Sequence, residues 1–491
     1  MAQGVVGLHE PRATDADLYW LESRPAEQGR SVLLCQTADG SIEELTPAPF
    51  NVRSRVHEYG GGAYLPTPEG VFFVNFSDQR LYRVKGGEIT AVTDNPATVR
   101  IADLSWHPAG KTLVAVTESH HDGAEATNAL QAIDVDTGEF RLLHGGHDFY
   151  AAPRISADGT RLAFLHWDHP NMPWDGTQLS VAELGPERLA NEVIIAGGAA
   201  ESVLQPEWVG DGVLFLSDRN GFWNLHRYDA SGVYCVLEDG VEYGSPPWVF
   251  AMRHYVALDD RYVAACRHGP EPQLVLVDSL SGFATPLNTP SDVVGFGDLV
   301  NYQGRICCVT QYADRLPALV CYTPSDASSQ HIRDSGTAPL EPEFVATPEH
   351  VEYPTRDHAR AYAYVYWPKN PNVTPAADAL PPLLVMTHGG PTAATGGGLN
   401  LRAQFYTTRG WAVADINYRG SSGYGRSYRE ALNGGWGETD VRDCEDLVRH
   451  LIQTNRIDAN RVAIRGGSAG GFTTLAALTT TDTFRAGASH Y

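Results

Sequence analysis

The stretch Arg461-Val-Ala-Ile-Arg-Gly-Gly-Ser-Ala-Gly-Gly471 decides the fold of the second part of this 491-residue chain. It begins as a short apolar strand, turns in a glycine-rich bend that carries Ser468, and continues as a helix. A strand that turns at once into a helix needs residues without a Cβ at its crowded positions, and Gly466 and Gly470 flank Ser468. This G-x-S-x-G pattern is typical of a nucleophile elbow, which holds a serine hydroxyl out at a strand tip.

A second motif upstream supports this interpretation. Leu383-Leu-Val-Met-Thr-His-Gly-Gly-Pro391 is an apolar strand that runs into a loop suited to donate a backbone N–H to an oxyanion. We expect the N–H groups of Gly390 and Ala469 to form the oxyanion hole. The alternatives are an ordinary glycine-rich turn or a dinucleotide fingerprint. The fingerprint fails on spacing, because Ser468 and Ala469 occupy the places that its second glycine would need.

Length and charge exclude several classes of protein. A chain of 491 residues is too long for one ordinary core, so we expect at least two domains. The net charge of −23 argues against nucleic acid as a partner, because phosphate binding needs a basic face. No stretch has the pattern of a signal peptide or the length of a membrane span, which predicts a cytoplasmic protein without a membrane partner.

Cysteine and histidine spacing gives no sign of a metal site or a cofactor. The seven cysteines include no C-x-x-C pair and several lie in apolar runs, which favours buried free thiols over disulfides. His120, His121 and His147 lack the paired spacing of zinc ligands, so we interpret them as loop histidines. We therefore expect no metal and no cofactor.

A pattern of short strands and turns repeats about every fifty residues through the first two thirds of the chain. Each repeat has a turn marker followed closely by an apolar run; the markers are Asp17, Gly70, Gly110, Gly159, Gly212, Asp260 and Gly304. Seven repeats of this length predict a seven-bladed β-propeller, and a β-sandwich is the main alternative. The insertion Trp167 to Asp175 either lines a domain interface or covers a blade edge.

The pattern then changes to alternating strands and helices. Trp411 to Asn417 and Val462 to Ile464 are predicted to be buried strands, and Asp440 to Ile452 an amphipathic helix. Alternation of this kind indicates a mostly parallel sheet. We therefore predict a propeller domain over residues 1–340 and an α/β-hydrolase domain over residues 341–491. About 250 residues are usual for the latter, so we expect it to be incomplete in this chain.

The order of the motifs resembles one family. The propeller is followed by His388-Gly-Gly-Pro391, Asn417-Tyr-Arg-Gly-Ser-Ser-Gly-Tyr-Gly425, Trp436-Gly437 and the elbow. This order is similar to that of the prolyl oligopeptidase family of serine peptidases, in particular its acylaminoacyl-peptidase and dipeptidyl-peptidase branches. The resemblance implies that Ser468 is the acylated nucleophile and that the amides of Gly390 and Ala469 bind the oxyanion.

The same resemblance suggests further roles. His388 stands where some relatives carry an oxyanion-binding tyrosine and is a possible accessory residue. Dipeptidyl preference would require acidic side chains that hold a free amine, and Glu58 is one candidate, although a structural role for its loop is the alternative. The aspartate and histidine segments of the triad are not found after Ser468. His490 is the only histidine there, and we expect it to be a strand residue.

These features predict a serine peptidase that cleaves short peptides through an acyl-enzyme, with the propeller as a size filter. Without its base, the chain as given is expected to be inactive or nearly so. A carboxylesterase and a non-catalytic propeller binding protein remain as alternatives. Homo-oligomerisation is possible, and neither the P1 preference nor the choice among acylaminoacyl, dipeptidyl and endopeptidase activity follows from the sequence.

Overall fold

The computed structural model of the protein describes residues 4–326, 328–376 and 378–491. Seven four-stranded antiparallel sheets follow one another along the chain and form the blades of a β-propeller. The first four blades are β1 (Gly7–Ala13), β2 (Leu18–Arg24), β3 (Arg30–Gln36), β4 (Ile42–Glu44); β5 (Tyr64–Thr67), β6 (Gly70–Val74), β7 (Leu81–Lys85), β8 (Glu88–Ala91); β9 (Val99–Trp106), β10 (Thr112–Ser119), β11 (Thr127–Asp134), β12 (Phe140–Gly145); and β13 (Phe149–Ile155), β14 (Arg161–Trp167), β15 (Gln178–Leu184), β16 (Leu189–Gly197). The last three are β17 (Val203–Val209), β18 (Gly212–Ser217), β19 (Asn224–Asp229), β20 (Gly232–Leu237); β21 (Tyr255–Ala257), β22 (Tyr262–Arg267), β23 (Gln273–Asp278), β24 (Ala284–Pro286); and β25 (Val293–Tyr302), β26 (Arg305–Tyr312), β27 (Ala318–Tyr322), β28 (Ser329–Asp334).

The seven-bladed prediction is therefore confirmed. Each turn marker of the sequence lies at or just before the second strand of a blade, as Asp17 does before β2 and Gly304 before β26. The second strands are deeply buried because they lie inside the sheet and pack on both neighbouring blades; in β18 every residue is buried. Continuous apolar runs in these strands make the repeat visible in the sequence.

The ring closes between the first and the last blade without exchange of a strand, because each blade is built from one continuous segment. An apolar cluster that includes Trp20 of β2 and Cys307 of β26 joins these two blades. The backbone N–H of Val6 also donates to the carbonyl oxygen of Ser335 at 2.8 Å. Closure therefore rests on side-chain packing and a few hydrogen bonds.

One expectation about cysteines is wrong. Cys307 and Cys321 form a disulfide, because the antiparallel register of β26 and β27 places them directly opposite each other. The prediction of free thiols stands for the remaining five cysteines, which are Cys35, Cys235, Cys266, Cys308 and Cys444. All but Cys235 are buried.

The second part of the chain forms a six-stranded mixed sheet with four helices. Its strands are β29 (Glu349–Pro354), β30 (Arg360–Tyr366), β31 (Leu383–Thr387), β32 (Ala412–Asn417), β33 (Val462–Gly467) and β34 (Ala486–His490), in the order β29-β30-β32-β31-β33-β34. Its helices are α1 (Leu401–Thr407), α2 (Arg426–Glu430), α3 (Thr439–Gln453) and α4 (Ala469–Thr480). Strands β32, β31, β33 and β34 are parallel, while β29 and β30 are antiparallel. In the described ranges no helix is both long and apolar enough to cross a membrane.

Helix α3 packs against this sheet through one apolar face. Val441, Leu447, Val448 and Leu451 are buried there with Cys444 in the same cluster as residues of β31 to β33. Their spacing of three and four residues places them on one side of the helix. The sheet is thereby covered, and the carboxyl ends of β31 and β33 remain available at one edge. Both candidate motifs of the sequence begin at these ends.

Candidate active site

Ser468 stands at the turn between β33 and α4. Its backbone has φ 56° and ψ −124°, a left-handed conformation that residues with side chains seldom adopt, and its side chain is exposed. A Cβ on Gly466 would collide with Thr387 Oγ1 and the carbonyl oxygen of Gly470. A Cβ on Gly470 would collide with the carbonyl oxygen of Thr387. Glycine at both positions therefore lets α4 start directly against β31, which presents Ser468 at the strand tip.

The turn that follows β31 lies directly against Ser468. A Cβ on Gly389 would be 3.4 Å from the Cβ of Ser468 and 3.9 Å from its Oγ. Gly390 has φ +120°, so the chain turns sharply here. Neither the N–H of Gly390 nor that of Ala469 donates a hydrogen bond to any described residue. The two turns that meet at Ser468 therefore each carry a backbone donor that no described residue occupies, and an oxyanion hole needs two such donors.

The segment 417–425 holds this turn in place. The Tyr418 hydroxyl donates to the carbonyl oxygen of His388 at 3.0 Å. Asn417 makes two hydrogen bonds to the backbone of Thr395, accepting from its N–H and donating to its carbonyl oxygen. From the propeller, Trp248 Nε1 donates to the carbonyl oxygen of Thr392 at 2.7 Å. The loop that carries Gly390 is therefore fixed from both domains.

The imidazole of His388 makes its contacts with its own loop and with the segment 417–425. Its Nδ1 donates to the carbonyl oxygen of Gly389 at 2.7 Å, and its Nε2 lies 2.8 Å from Ser421 Oγ. The ring stacks on Tyr418 with centroids 4.6 Å apart. Burial lowers the pKa of His388 to about 4, so the ring is neutral at physiological pH. These contacts are those of a residue that shapes the loop.

No described imidazole serves Ser468 as a base. The Ser468 hydroxyl makes no hydrogen bond within residues 4–326, 328–376 and 378–491. His490 ends β34, as expected for a strand residue, and its Nε2 lies 3.1 Å from Arg465. Its carbonyl oxygen, and not its ring, approaches the elbow by accepting from the N–H of Ser468 at 3.0 Å.

A cavity of about 360 Å³ opens in the propeller beside this loop, and Glu58 and Glu118 line it together. One nitrogen of Arg100 donates to both carboxylates, at 2.7 Å for Glu58 and 2.9 Å for Glu118. Glu118 also accepts from the N–H of His57 at 2.8 Å and is nearly buried, whereas Glu58 is exposed. The hydrogen bond from Arg100 lowers the pKa of Glu58, so this carboxylate is ionised at neutral pH.

Glu58, Glu118 and His120 are also the one described cluster whose ligand atoms lie close enough to hold a metal ion, within 4.8 Å of one another. The two carboxylates and the guanidinium of Arg100 together carry one net negative charge. A single ammonium group would neutralise this charge, whereas a divalent ion would leave an excess of positive charge beside Arg100. The cluster is therefore better suited to an amine than to a metal.

The sequence did not reveal Glu118, Arg100 or Trp248 as parts of the site. Glu118 is the last residue but one of β10 and Arg100 the second residue of β9, both in the third blade, while Glu58 lies in the loop after the first blade. Only the register of β9 against β10, which pairs Arg100 with Glu118, brings them together. A lone acidic residue at the end of an apolar strand is too common to signal a site, so no sequence feature would have identified these residues.

Comparison with known proteins agrees with this architecture. The model of the prolyl oligopeptidase family matches residues 398–491, and that of the lipoprotein LpqB β-propeller domain matches residues 57–233. A puromycin-hydrolyzing peptidase of Mycobacterium tuberculosis is 32% identical, with a TM-score of 0.94 over 99% of this chain and 78% of its own. A crystal structure of puromycin hydrolase is 33% identical, with a TM-score of 0.93 over 99% of this chain and 78% of its own.

The chain aligns with a smaller share of each curated relative. Dipeptidyl aminopeptidase BIII of Pseudoxanthomonas mexicana is 32% identical over 38% of this chain and 29% of the relative. The acylamino-acid-releasing enzyme of Sus scrofa is 25% identical over 79% of this chain and 50% of the relative. The chain thus spans half or less of the length of these two relatives.

Proposed function

This chain belongs to the prolyl oligopeptidase family, and we propose that it acts as a serine peptidase on short peptides, with Ser468 as nucleophile. The observation that carries the proposal is the exposed Ser468 hydroxyl beside the unoccupied N–H groups of Gly390 and Ala469. A donor of this kind typically contributes about 3–4 kcal/mol to transition-state stabilisation.

The proposed reaction is acyl transfer. Ser468 Oγ loses its proton to a base and attacks the peptide carbonyl carbon, whose oxygen becomes an anion held by Gly390 and Ala469. The C–N bond then breaks and the amine leaves with a proton. Water attacks the ester in the second half of the reaction and releases the acid. His388 supports the oxyanion loop as a positioning residue.

The mechanism needs a base, and none of the described histidines is placed to act as one. Because no described imidazole reaches Ser468 Oγ, its proton must pass to water, and we infer slow acylation by the chain on its own. Oxyanion stabilisation and binding without a base still leave a residual acceleration of about 10³–10⁴ over the uncatalysed reaction. Slow but selective reaction at Ser468 is therefore the expectation.

The charge of the cavity rim favours substrates with a free amine. Glu58 and Glu118 present one net negative charge after pairing with Arg100, and an α-ammonium group would complete the neutralisation. An acylated amino terminus carries no charge and gains nothing there. Among the relatives, the dipeptidyl aminopeptidase name fits this arrangement better than the acylamino-acid-releasing name. We therefore propose aminopeptidase-type specificity.

Four expectations from the sequence stay predictions. They are the absence of a nucleic-acid partner, the absence of a membrane partner, the cytoplasmic location and possible homo-oligomerisation.

A fluorophosphonate probe tests the nucleophile. We expect the probe to modify Ser468 slowly, with the adduct located by peptide mass spectrometry. Added imidazole should increase the labelling rate about tenfold or more, because it supplies the proton acceptor that the described residues lack. Hydrolysis of an ester and of an aminoacyl anilide by the same protein would then separate carboxylesterase from peptidase activity.

The controls use two serines of the same region. Ser468→Ala should abolish labelling. Ser489→Ala should leave it unchanged, because the Ser489 hydroxyl donates to the carbonyl oxygen of Gly471 at 3.1 Å and does not face the turn. Labelling at another serine, or none at all in the presence of imidazole, would contradict the proposal and leave a non-catalytic propeller protein as the better account.

A further inference from the structure

A second cavity, of about 160 Å³, lies at the centre of the propeller. The first strands of neighbouring blades, such as β9 and β13, contact each other, so these strands surround the axis of the ring. We call this space the channel cavity; its lining includes Arg12, Tyr64, Asp103, Ser105, Arg154 and Arg253. The three arginines come from the first, fourth and sixth blades and meet only in the closed ring.

Arg12 has almost no partner for its charge. It is 6% exposed and forms no ion pair with any residue that the structure describes. Its guanidinium makes two long hydrogen bonds, at 3.4 Å to the carbonyl oxygen of Pro11 and at 3.5 Å to that of Ala251. A guanidinium has five N–H donors, so most donors of Arg12 are left for a ligand or for water. Burial of a charge without a partner is costly.

Arg253 is also poorly satisfied. Its Nε is buried without a hydrogen-bond partner among residues 4–326, 328–376 and 378–491. Its guanidinium lies 3.6 Å from Glu207, which is longer than a hydrogen bond. Burial lowers the pKa of Arg253 to about 10, and the charges of Arg12 and Arg154 act in the same direction against the opposing effect of Glu207. Arg253 is therefore still a cation at neutral pH, and its two neighbours repel it.

The carboxylates near the channel cavity have other partners. Asp103 and Glu207 both pair with Arg154, at 3.1 Å and 3.3 Å. Glu10 and Asp298 accept hydrogen bonds from backbone N–H groups, and neither forms an ion pair with a described cation. Of these four acids only Asp103 lines the cavity. Three guanidinium groups thus face one carboxylate in the cavity wall, which leaves an excess of positive charge.

The size and chemistry of the cavity fit a small anion with several oxygen atoms. A cavity of about 150 Å³ holds a benzene molecule, and a phosphate ion has fewer heavy atoms than benzene. The planar fork of a guanidinium matches a pair of oxygens on one anion. The Ser105 hydroxyl accepts from the N–H of Ile155 at 3.3 Å and keeps its own hydrogen free for a further acceptor.

These observations point to one class of ligand. We propose that the channel cavity binds a small oxyanion, which accepts hydrogen bonds from Arg12, Arg253 and Ser105. Arg154 is held by its two carboxylates and contributes its charge to the wall. This inference goes beyond the proposed peptidase function and does not depend on it, because none of these side chains belongs to the elbow or to the loop at Gly390.

Calorimetric titration of the whole chain at pH 7.5 and constant ionic strength tests the inference. A free phosphate and the carboxylate of a peptide share the required chemistry, so the probes are inorganic phosphate, acetate and uncharged acetamide. We expect phosphate to bind about tenfold or more tightly than acetate, because a dianion gains more from three cations, and acetamide not to bind. Tighter binding of acetate would still support an oxyanion site and would identify a carboxylate as its ligand. Lack of saturable binding of both anions, or equal affinity for acetate and acetamide, would overturn the proposal.

Variants of the arginines locate the site. Arg12→Gln and Arg253→Gln should each weaken anion binding about tenfold or more, because each removes a charged donor. Arg261→Gln is the matched control, since Arg261 belongs to the same blade as Arg253, is 54% exposed and does not line the cavity; it should change the affinity less than about twofold. Full affinity of Arg12→Gln and Arg253→Gln would overturn the assignment.

Two further measurements keep the result interpretable. Arg12→Gln should leave the urea midpoint of the anion-free protein unchanged or raised, because Arg12 has no ion pair to lose and repels Arg253. If that variant nevertheless fails to fold, Ser105→Ala replaces it and should weaken phosphate binding about threefold or more. Ser468→Ala should bind phosphate as the unchanged chain does, which separates this site from the proposed nucleophile. Loss of phosphate binding in Ser468→Ala would overturn the placement of the anion in the channel cavity.

Discussion

At the scale of single residues, the elbow depends on close contact between glycines and the neighbouring strand. A Cβ on Gly470 would meet the carbonyl oxygen of Thr387 and lie 2.6 Å from that of His388. Backbone atoms cannot give way as a flexible side chain can, so any larger residue must push α4 away from β31. The same displacement would move Ala469 N–H relative to Gly390.

Gly470→Ala tests this contact. We expect a loss of about 1–3 kcal/mol in the free energy of unfolding, because overpacking against fixed backbone costs about that much, together with loss of fluorophosphonate labelling. Urea unfolding and labelling kinetics measure the two effects. Gly467→Ala is the matched control in the same elbow, since a Cβ there would lie at ordinary contact distance, 3.7 Å from the ring of Tyr491 and 3.8 Å from the Cβ of His490. Equal stability of the two variants would contradict the account.

The sequence predicted these residues because their signal is local. Ser468, its flanking glycines and the His388 to Pro391 loop each belong to a short motif whose geometry is known. Glu118 and Arg100 belong to no motif. Their proximity to Glu58 arises from the curvature of a ring that brings the loop after the first blade against the third, which no local pattern encodes.

At the scale of elements, helix α2 joins the two domains. Arg426 and Arg429 both donate to Asp218 of the propeller, at 2.7 Å and 2.6 Å, and Asp218 is buried. The Arg429 guanidinium also lies 4.2 Å from the ring centroid of Trp223. The backbone of the insertion 167–175 accepts from the same arginines, at Trp174 and Asp175. This insertion therefore lines the domain interface, which settles the alternative left open by the sequence.

Asp218→Asn tests the joint between the domains. The substitution leaves the buried guanidinium of Arg429 without its anion, while Arg426 keeps its ion pair with Glu430. Removal of one partner of a buried pair typically costs about 3–5 kcal/mol. We expect a loss of that order in the free energy of unfolding by urea. Asp211→Asn should change it by less than about 1 kcal/mol, because Asp211 is 88% exposed where it meets Arg227. Similar effects of both variants would show that the joint contributes no special stability.

Element boundaries followed from the sequence where apolar periodicity was strong. The predicted helix from 440 to 452 is α3 at 439–453, and the predicted strand from 411 to 417 is β32 at 412–417. The packing of α2 against the propeller could not be predicted from the sequence. It depends on Gly425, whose N–H donates to Glu242 and whose missing side chain leaves room for the ring of Phe222 in another domain.

At the scale of the whole molecule, buried histidines dominate the response to acid. Burial lowers the pKa of eight of them, to about 4 for His57, His166, His268 and His388, to about 3 for His254, and in the same direction for His9, His226 and His350. These rings take up protons near pH 6.5 only when the chain unfolds. Burial has the opposite effect on carboxylic acids: it raises the pKa of Glu10 and Glu242 to about 7 and that of Asp415 to about 6, so near pH 5 these three hold protons mainly in the folded state.

The balance between these histidines and these acids sets the sign of the pH dependence of stability. Between about pH 5 and pH 6 the unfolded chain binds up to five more protons at the histidines whose folded pKa is about 3 to 4 and up to three fewer at these acids, so unfolding takes up protons. Stability should therefore rise with pH across this window, by about 1.4 kcal/mol per pH unit for each net proton. Urea midpoints at pH 5.0, 5.5 and 6.0 measure the slope.

Glu242→Gln supplies the internal control for this prediction. It removes one group that holds a proton only in the folded state, so the rise of stability with pH should become steeper. A midpoint that falls with increasing pH, or a slope that the variant leaves unchanged, would contradict the assignment of these buried groups.

The architecture of the whole molecule was the part most accessible from the sequence. Seven similar repeats and one elbow predict a propeller followed by an α/β sheet, because both features produce local patterns of apolar residues and turn residues in the sequence. The cavity of about 360 Å³ in the propeller was not accessible, since its walls come from strands and loops of several blades that meet only when the ring closes.

The central claim is that Ser468 attacks a carbonyl whose oxygen is then held by two backbone amides. A crystal structure of the fluorophosphonate adduct tests it most directly, because phosphorus on Ser468 Oγ imitates the tetrahedral intermediate. We predict a phosphonyl oxygen about 2.7–3.1 Å from both Gly390 N and Ala469 N. An adduct on another residue, or a phosphonyl oxygen that faces solvent away from both amides, would contradict the claim.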